Sequence, residues 1–268
     1  MSTQVTWSAD SISGTRKPVN DDSFIVFTAG AKTSTHLDKE GTHTIADNDI
    51  VLAVSDGMGG GNAGDLASQI LVNQLSQIIP KTIKQAAQGF TPDYLEQLEE
   101  ALQQIHLSIN QQADEKPELK GMAATITLAW LTPTHMHVGH VGDSRLYLHR
   151  DKKTQQISED HNYIWRQHKR GTLSEILYRM HPQRNLLYEV VGAGHHKLTP
   201  FLLSIPYMQG DRFMLCSDGI IDGLSEKKIH LKLSQNEDST KSTQNSLMTT
   251  AIENSGEDDT TCIVFDLT

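Results

Sequence analysis

The order of the apolar segments is the feature that most constrains the fold of this chain. Short runs rich in Val, Ile, Leu and Phe, typical of strands, cover residues 23–29, 49–55, 123–131, 135–141, 144–150, 211–217 and 261–267. Helical patterns cover about 172–180 and 240–253, in addition to the two helices described below. Because most of the strands follow one another instead of alternating with helices, the pattern predicts an α+β fold of packed antiparallel sheets with helices outside.

Two amphipathic helices are predicted between the second and third of these runs. Each places its leucine and isoleucine side chains on one stripe: Leu66, Ile70, Leu71, Leu75 and Ile78 in the first, and Leu95, Leu98, Leu102, Ile105 and Ile109 in the second. The second helix is expected to begin at Thr91-Pro92, because proline is favoured in the first helical turn. With no low-complexity linker and no repeat, residues 1–268 are expected to form a single domain.

Composition excludes several classes of function. The formal net charge of −10 and the absence of a Lys/Arg block argue against a nucleic-acid partner. No apolar stretch approaches the roughly 18 residues that cross a bilayer, and the first residues lack the apolar core of a leader peptide, so a soluble cytoplasmic protein is expected. Cys216 and Cys262 lie in strand-like runs and are predicted to be reduced core thiols.

Residues 50–70 lead from an apolar strand through an aspartate and several glycines into a helix. The run Gly59–Gly64 matches the dinucleotide-binding pattern G-x-G-x-x-G, but a second helix follows where that fold needs a parallel strand. A P-loop is excluded because no Gly-Lys-Ser/Thr closes the run. A glycine-rich turn is the simplest interpretation, and the role of Asp56 then depends on the rest of the chain.

Acidic residues recur at strand ends along the whole sequence: Asp21, Asp22, Asp56, Asp143, Asp218, Asp258 and Asp259. Each one alone could be an ordinary turn residue. Together they would bring uncompensated carboxylates to one place if the strand ends converge, and such a cluster needs cations. All the ligands are oxygen atoms, which favours Mg²⁺ or Mn²⁺ over Zn²⁺, and no EF-hand loop is present.

The histidines of "HMHVGH" are the other candidate metal ligands. His135 and His137 alternate on a predicted strand and are expected to lie on a solvated sheet face without a metal role.

The chain resembles the metal-dependent Ser/Thr protein phosphatases of type 2C in their bacterial form. The resemblance covers about residues 10–267 and rests on an ordered series of motifs: "VNDDSF", "SDGMGG", "GMAATIT", "VGDSRLY", "EDHNY", "HPQRNLLYEVVG", "MLCSDGIID" and "EDDTTCIVF". It implies an α-β-β-α sandwich of two antiparallel sheets, and a phosphomonoesterase that uses a metal-bridged water instead of an enzyme nucleophile.

The resemblance also implies the metal ligands. Asp56 would bridge two Mn²⁺ or Mg²⁺ ions, Asp218 and Asp258 would complete one site, and Asp21 with the Gly57 carbonyl would help to hold the other.

Three further roles follow from the same resemblance. Asp22 would be a supporting acid beside the metal ligands, Asp143 would join Asp218 in a weaker third metal site, and Arg16 would bind the phosphate. The family's usual arginine position is held here by Lys17, so Arg16 serves only if a one-residue bulge turns it inward.

Other departures from the family pattern concern single residues. Asp21 stands where Glu or Gln is more usual, and Asp259 replaces an Asn, where its charge would tighten cation binding if it points inward. A cysteine phosphatase is excluded, because Asp222 stands six residues after Cys216 where that mechanism needs an arginine.

Residues 160–195 correspond to the family's flap segment, whose Arg and Lys residues indicate either a surface for phosphorylated protein substrates or a structural helix pair. The expected partners are phosphorylated proteins, including a Ser/Thr kinase or its substrates, and the expected state is a monomer. Two alternatives stay open: a catalytically weak relative that acts as a phosphoprotein-binding regulatory module, and a Ca²⁺-stabilised structural domain.

Overall fold

The computed structural model describes residues 3–16, 18–30, 34–46, 48–60, 62–86, 93–235 and 239–268, without side chains for 81–86. No helix in these ranges has the length and apolar character to cross a membrane. The strands are β1 (Thr3–Ile12), β2 (Asp22–Ala29), β3 (Ser34–His36), β4 (Glu40–Ile45), β5 (Asp49–Met58), β6 (Ala123–Ala124), β7 (Ile126–Leu131), β8 (His135–Val141), β9 (Arg145–Arg150), β10 (Lys153–Gln156), β11 (Val191–Gly192), β12 (Phe201–Pro206), β13 (Arg212–Cys216) and β14 (Thr260–Leu267). The α-helices are α1 (Ala63–Ala86), α2 (Tyr94–Glu115), α3 (Tyr163–Lys169), α4 (Glu175–Arg179), α5 (Asp218–Gly223), α6 (Glu226–Leu233) and α7 (Thr240–Ser255), and a 3-10 turn covers Pro117–Leu119.

Two sheets carry these strands, and every described pairing is antiparallel. One sheet has the order β10-β9-β13-β14-β1-β4. In the other, β5 is central: β2 and β3 extend it on one side, β7, β8 and β12 on the other, and β6 and β11 continue from its C-terminal end. The prediction of packed antiparallel sheets is therefore confirmed.

Strand alternation builds the layers of the core. In β5, Ile50 and Leu52 pack against the other sheet, whereas Val51 and Ala53 pack against α1 and α2. β13 shows the same alternation. Phe213 packs against the sheet that contains β5, whereas Met214 packs against α5, α6 and α7. A period of two on each central strand thus produces three apolar layers, and the order helix–sheet–sheet–helix follows.

The helix and strand boundaries differ from the sequence-based expectation at several places. The predicted run 123–131 is divided at Thr125, whose side chain and main chain bond to Asp56. Helix α2 has Asp93 as its N-cap, which accepts bonds from the amides of Leu95 and Glu96, while Thr91-Pro92 lies outside the described residues. Strand β1 was not predicted, although Val5, Trp7 and Ala9 alternate in it with polar residues, which is the pattern of a half-buried strand.

The expectation of a solvated face for the "HMHVGH" histidines is wrong for most of the strand. His135 is exposed, but His137 is 6% exposed and stacks on Tyr94 with ring centroids 4.2 Å apart. His140 is fully buried and shares a bond of 2.9 Å with the Thr127 hydroxyl. The reason is tertiary: β8 lies inside its sheet and α2 covers it, so a polar strand sequence is buried.

Cys216 and Cys262 are buried free thiols, as predicted. They are direct cross-strand neighbours on β13 and β14. Burial raises the pKa of the Cys216 thiol to about 12, so this residue is not a thiolate nucleophile.

Candidate metal centre

Two aspartates face each other where β2 and β5 meet at one end of the sandwich. Asp22 opens β2 and is the register partner of Asp56 near the end of β5. The backbone at Asp56 is held by Thr125, whose hydroxyl accepts from the Asp56 amide at 3.0 Å and whose own amide donates to the Asp56 carbonyl at 2.8 Å. Like charges directly opposite each other destabilise a sheet, so this pairing favours a counter-ion.

Three more aspartates reach the same place from other elements. Asp143 lies in the turn between β8 and β9, Asp218 is the first residue of α5, and Asp258 comes just before β14. Burial is the main cause that raises the pKa of Asp218 well above its ordinary value, and the charges of Asp143, Asp222 and Asp258 add to it.

The pKa values of the other carboxyl groups show the same convergence. Burial, followed by the charges of Asp218, Asp22 and Asp143, raises the pKa of Asp56 well above its usual range. Burial raises the pKa of Asp22 to about 7, although its carboxylate accepts a 2.6 Å bond from the Ser217 hydroxyl. Burial and the charge of Asp160 raise that of Asp143 to about 7. The structure therefore brings together five of the predicted acids, Asp22, Asp56, Asp143, Asp218 and Asp258, as one repulsive cluster.

Arg16 lies beside this cluster. Its guanidinium donates to Asp258 Oδ2 at 3.0 Å and to Glu257 Oε2 at 3.3 Å, with half of the side chain exposed. Its backbone amide donates to the Glu257 carbonyl at 2.8 Å. Arg16 is thus placed next to a predicted metal ligand, while Lys17 lies outside the described residues, so their comparison stays a prediction.

Asp21 is bonded to the start of α1 and to Gly57. It is 1% exposed, and its Oδ1 accepts from the Asp65 amide in the first turn of α1 at 3.0 Å. Its carbonyl accepts from the Gly57 amide at 3.0 Å. Gly57 must be glycine, because a Cβ there would lie 2.0 Å from the Gly64 carbonyl oxygen. A direct metal contact of Asp21 remains a prediction.

Asp259 connects the segment that carries Arg16 to the centre. The side chain is 6% exposed, and its two oxygens accept from the Gly14 amide at 2.8 Å and from the Asp21 amide at 2.7 Å. An asparagine could accept only one of these bonds with its oxygen. The carboxylate therefore closes the loop between the end of β1 and the start of β2, which its sequence position alone did not indicate.

Two arginine–carboxylate pairs flank the cluster, and sequence reasoning did not identify either. Buried Arg145 holds Asp160 through three bonds of 2.7–3.0 Å and also donates to the hydroxyl of Tyr178 in α4. Arg184 makes a bidentate pair with Asp222 of α5, at 2.6 and 2.7 Å. These pairs fasten residues 160–195 to the sheet and to α5, and neutralise two carboxylates near the centre.

The donor set suits hard divalent cations. Within the ranges that the structure describes, Asp56, Asp143 and Asp218 have no ion-pair partner, and every clustered ligand atom is a carboxylate oxygen. No group of three acidic, His or Cys side chains among the described residues is closed around a single point, however. Of the clustered carboxylates, Asp258 is bonded to Arg16.

Comparison with known proteins agrees with this geometry. The family model described as "Protein phosphatase 2C" matches residues 29–253. The chain belongs to the protein phosphatase 2C family. Among relatives, it is 31% identical over 219 residues to the serine/threonine protein phosphatase PstP of Mycobacterium tuberculosis, covering 81% of this chain but 40% of that protein. It is 30% identical over 194 residues to the serine/threonine phosphatase stp of Listeria monocytogenes, covering 72% and 75%.

Solved structures of the family share the whole fold. A crystal structure of the M. tuberculosis phosphatase PstP/Ppp matches with a TM-score of 0.78 at 28% identity, covering 98% of both chains. The PstP catalytic domain in complex with 2 manganese ions matches with a TM-score of 0.77 at 26% identity, covering 99% of both. The sandwich expected from the resemblance is therefore confirmed.

Proposed function

We propose that this family member is a metal-dependent protein serine/threonine phosphatase that hydrolyses phosphoserine and phosphothreonine monoesters. The observation that carries the proposal is the cluster of Asp22, Asp56, Asp143, Asp218 and Asp258, whose mutual repulsion calls for divalent cations. Asp22 is buried, and the other four are partly exposed. Relatives named as serine/threonine phosphatases, and one solved with two manganese ions, support it.

The cations would be two Mn²⁺ or Mg²⁺ ions and a weaker third. Asp56 would contact both main ions, Asp218 and Asp258 one of them, and the Gly57 carbonyl with Asp21 the other, through water in the case of Asp21. Asp143 with Asp218 would hold the third. When bound, such ions activate water and neutralise the charge of the phosphoryl group during in-line attack.

The remaining residues position the substrate and the ligands. Arg16 is half-exposed and close to Asp258, so its guanidinium can move from this carboxylate to a phosphate, which it can hold by two oxygens. Asp22 accepts from the Ser217 hydroxyl, which in turn accepts from the Thr261 amide. This chain of bonds fixes the residue before Asp218 and so orients the start of α5.

A protein substrate is supported by the surface of residues 160–195, proposed here as the flap of a single catalytic domain. Of the nine large apolar side chains exposed in the described residues, five belong to this segment: Tyr163, Ile176, Leu177, Met180 and Leu186. The segment also has five Lys and Arg residues against three carboxylates, in a chain of net charge −10. Lys169 and Arg184 are paired with Glu226 and Asp222, whereas Arg166 and Arg170 are exposed. An apolar surface with these two exposed cations suits phosphorylated proteins, and a cytoplasmic monomer acting on a Ser/Thr kinase or its substrates is our proposal.

Replacement of Asp56 or Asp218 by Asn tests this function. Turnover of para-nitrophenyl phosphate with Mn²⁺ should fall by about a hundredfold or more, because each change removes a shared ligand. The Asp10→Asn variant is the control, since Asp10 is a partly exposed strand carboxylate that is paired with Lys39 and lies outside the acidic cluster. Mn²⁺ calorimetry and circular dichroism separate lost metal binding from lost folding. Wild-type protein that binds Mn²⁺ without turnover would identify the regulatory binding module instead.

A further inference from the structure

A groove lies between the outermost strand of the six-stranded sheet and the first helix of the flap. Its volume is about 460 Å³, within the roughly 300–1,000 Å³ of pockets that bind small ligands. None of the clustered aspartates lines it. The lining consists of Tyr147, the consecutive residues 154–159, Trp165, Lys169 and Glu226. We call it the β10–α3 groove.

The consecutive run 154–159 shows which side of β10 the groove faces. Successive side chains of a strand point to opposite faces of the sheet, so a cavity over one face would be lined by alternate residues only. The three strand residues Thr154, Gln155 and Gln156 all line the groove, although successive side chains alternate, and residues 157–159 continue the lining beyond the strand. The groove therefore lies along the edge of β10, where the main chain is exposed. β10 is the terminal strand of its sheet, next to β9, so this edge is available.

The hairpin register determines which main-chain groups point into the groove. Asp151 and Lys152 both have positive φ, 50° and 60°, as in a two-residue hairpin turn. The Ile157 amide donates to the Leu146 carbonyl at 2.7 Å, so alternate residues 153, 155 and 157 bond to β9. Thr154 and Gln156 then direct their N–H and C=O groups outwards, and no main-chain partner for them occurs in the part of the chain that is described.

Helix α3 forms the opposite wall, and its side chains are held in place. Trp165 Nε1 donates to Gln156 Oε1 at 3.2 Å. Lys169 Nζ lies 5.6 Å from the Trp165 ring centroid and 2.8 Å from Glu226 Oε1. An edge strand facing a helix is the arrangement that binds an extended peptide by strand addition.

We propose that the β10–α3 groove binds an extended, uncharged segment of the phosphoprotein substrate, which adds to β10 as a further strand. The proposal rests on the phosphatase function above. The segment is uncharged along β10, because the strand lines the groove there with Thr154, Gln155 and Gln156 and Lys169 is already paired with Glu226. Glu159, beyond the strand, is the other charged residue of the lining.

Continuity with the metal centre is the reason to assign the groove to the substrate. Glu159 lines its inner end, and the next residue, Asp160, is held by Arg145, two residues from Asp143. A substrate segment that pairs with β10 would therefore lie beside the metal centre. It would be a part of the substrate other than the phosphorylated residue.

The test compares Gln156→Pro with Gln156→Ala. Both variants lose the amide side chain that contacts Trp165, but only proline loses the outward N–H, which an edge strand tolerates. With Mn²⁺ and phosphorylated casein, the KM of Gln156→Pro should exceed that of Gln156→Ala by about threefold to tenfold, the effect of a lost main-chain bond. The kcat, and all constants for para-nitrophenyl phosphate, should be equal in the two variants.

Equal KM values for casein in the two variants would overturn the groove proposal while leaving the phosphatase function intact. Absence of wild-type turnover of para-nitrophenyl phosphate would instead refute the function. If Gln156→Pro does not fold, the wild-type enzyme is tested with a long phosphopeptide and with copies that are N-methylated at single positions outside the phosphorylated residue. Equal KM values for the peptide and for every methylated copy would refute strand addition. A wild-type dimer that Gln156→Pro dissociates would assign this edge to a second copy of the chain, against the proposal.

Discussion

Replacement of Asp22 by Asn should stabilise the metal-free protein at alkaline pH. The pKa of this carboxyl group is about 7 in the folded protein against an ordinary 3.8. At about 1.36 kcal/mol per unit, ionised Asp22 costs the folded state about 4 kcal/mol at pH 8. Because the folded pKa is the higher one, this cost diminishes as the pH falls through 7 and is nearly lost at pH 4.

The asparagine lacks this cost but weakens the bond from Ser217. We therefore expect the free energy of unfolding of Asp22→Asn to exceed that of the wild type by about 2–4 kcal/mol at pH 8 and by less than about 2 kcal/mol at pH 5. The measurement is urea unfolding in EDTA, followed by tryptophan fluorescence. Buried His137, His140 and His161, whose pKa values burial lowers, destabilise both proteins equally in acid and cancel in the difference.

Two controls define the result. Asp10→Asn, with its exposed ion pair, should change stability by less than about 1 kcal/mol at either pH. Saturating Mn²⁺ should reduce or reverse the advantage of Asp22→Asn, because the wild-type charge then faces cations. A variant that is less stable than the wild type at pH 8 in EDTA, or a difference independent of pH, would refute the reasoning.

Three further predictions concern the chemistry and the loop that carries Arg16. Activity should require Mn²⁺ or Mg²⁺, vanish in EDTA and survive native alkylation, because Cys216 and Cys262 are buried; full activity in chelator contradicts the metal requirement. In kinetics with a phosphopeptide, Arg16→Ala should raise KM by about tenfold and Lys17→Ala by less than about threefold, and the reverse ranking would make Lys17 the phosphate ligand. Asp259→Asn should lower the free energy of urea unfolding by about 1–3 kcal/mol, because one of the two amides bonded to Asp259 is left without an acceptor. It should also raise KM more than it lowers kcat. Unchanged stability and KM would show that Asp259 does not hold this loop.

The layers of the fold and five members of the acidic cluster follow from the sequence alone, whereas a direct metal contact of Asp21 stays a prediction. Alternation along β5 and β13 is a local property, since a strand's side chains point to opposite faces whatever surrounds it. The ordered aspartate motifs likewise indicated which residues meet, because each lies at the end of a strand. The histidines of β8 show the limit of this reasoning, as their burial depends on α2.

The pairing of charges is known only from the folded chain. Arg184 meets Asp222 across 38 residues, and Asp259 reaches Gly14 across 245, separations at which no local pattern specifies a partner. The free edge of β10 is of the same kind, because a strand's sequence does not state whether a neighbour follows it in the sheet. Pairing of charges and exposure of edges depend on the path of the whole chain, whereas periodicity depends only on the geometry of one element.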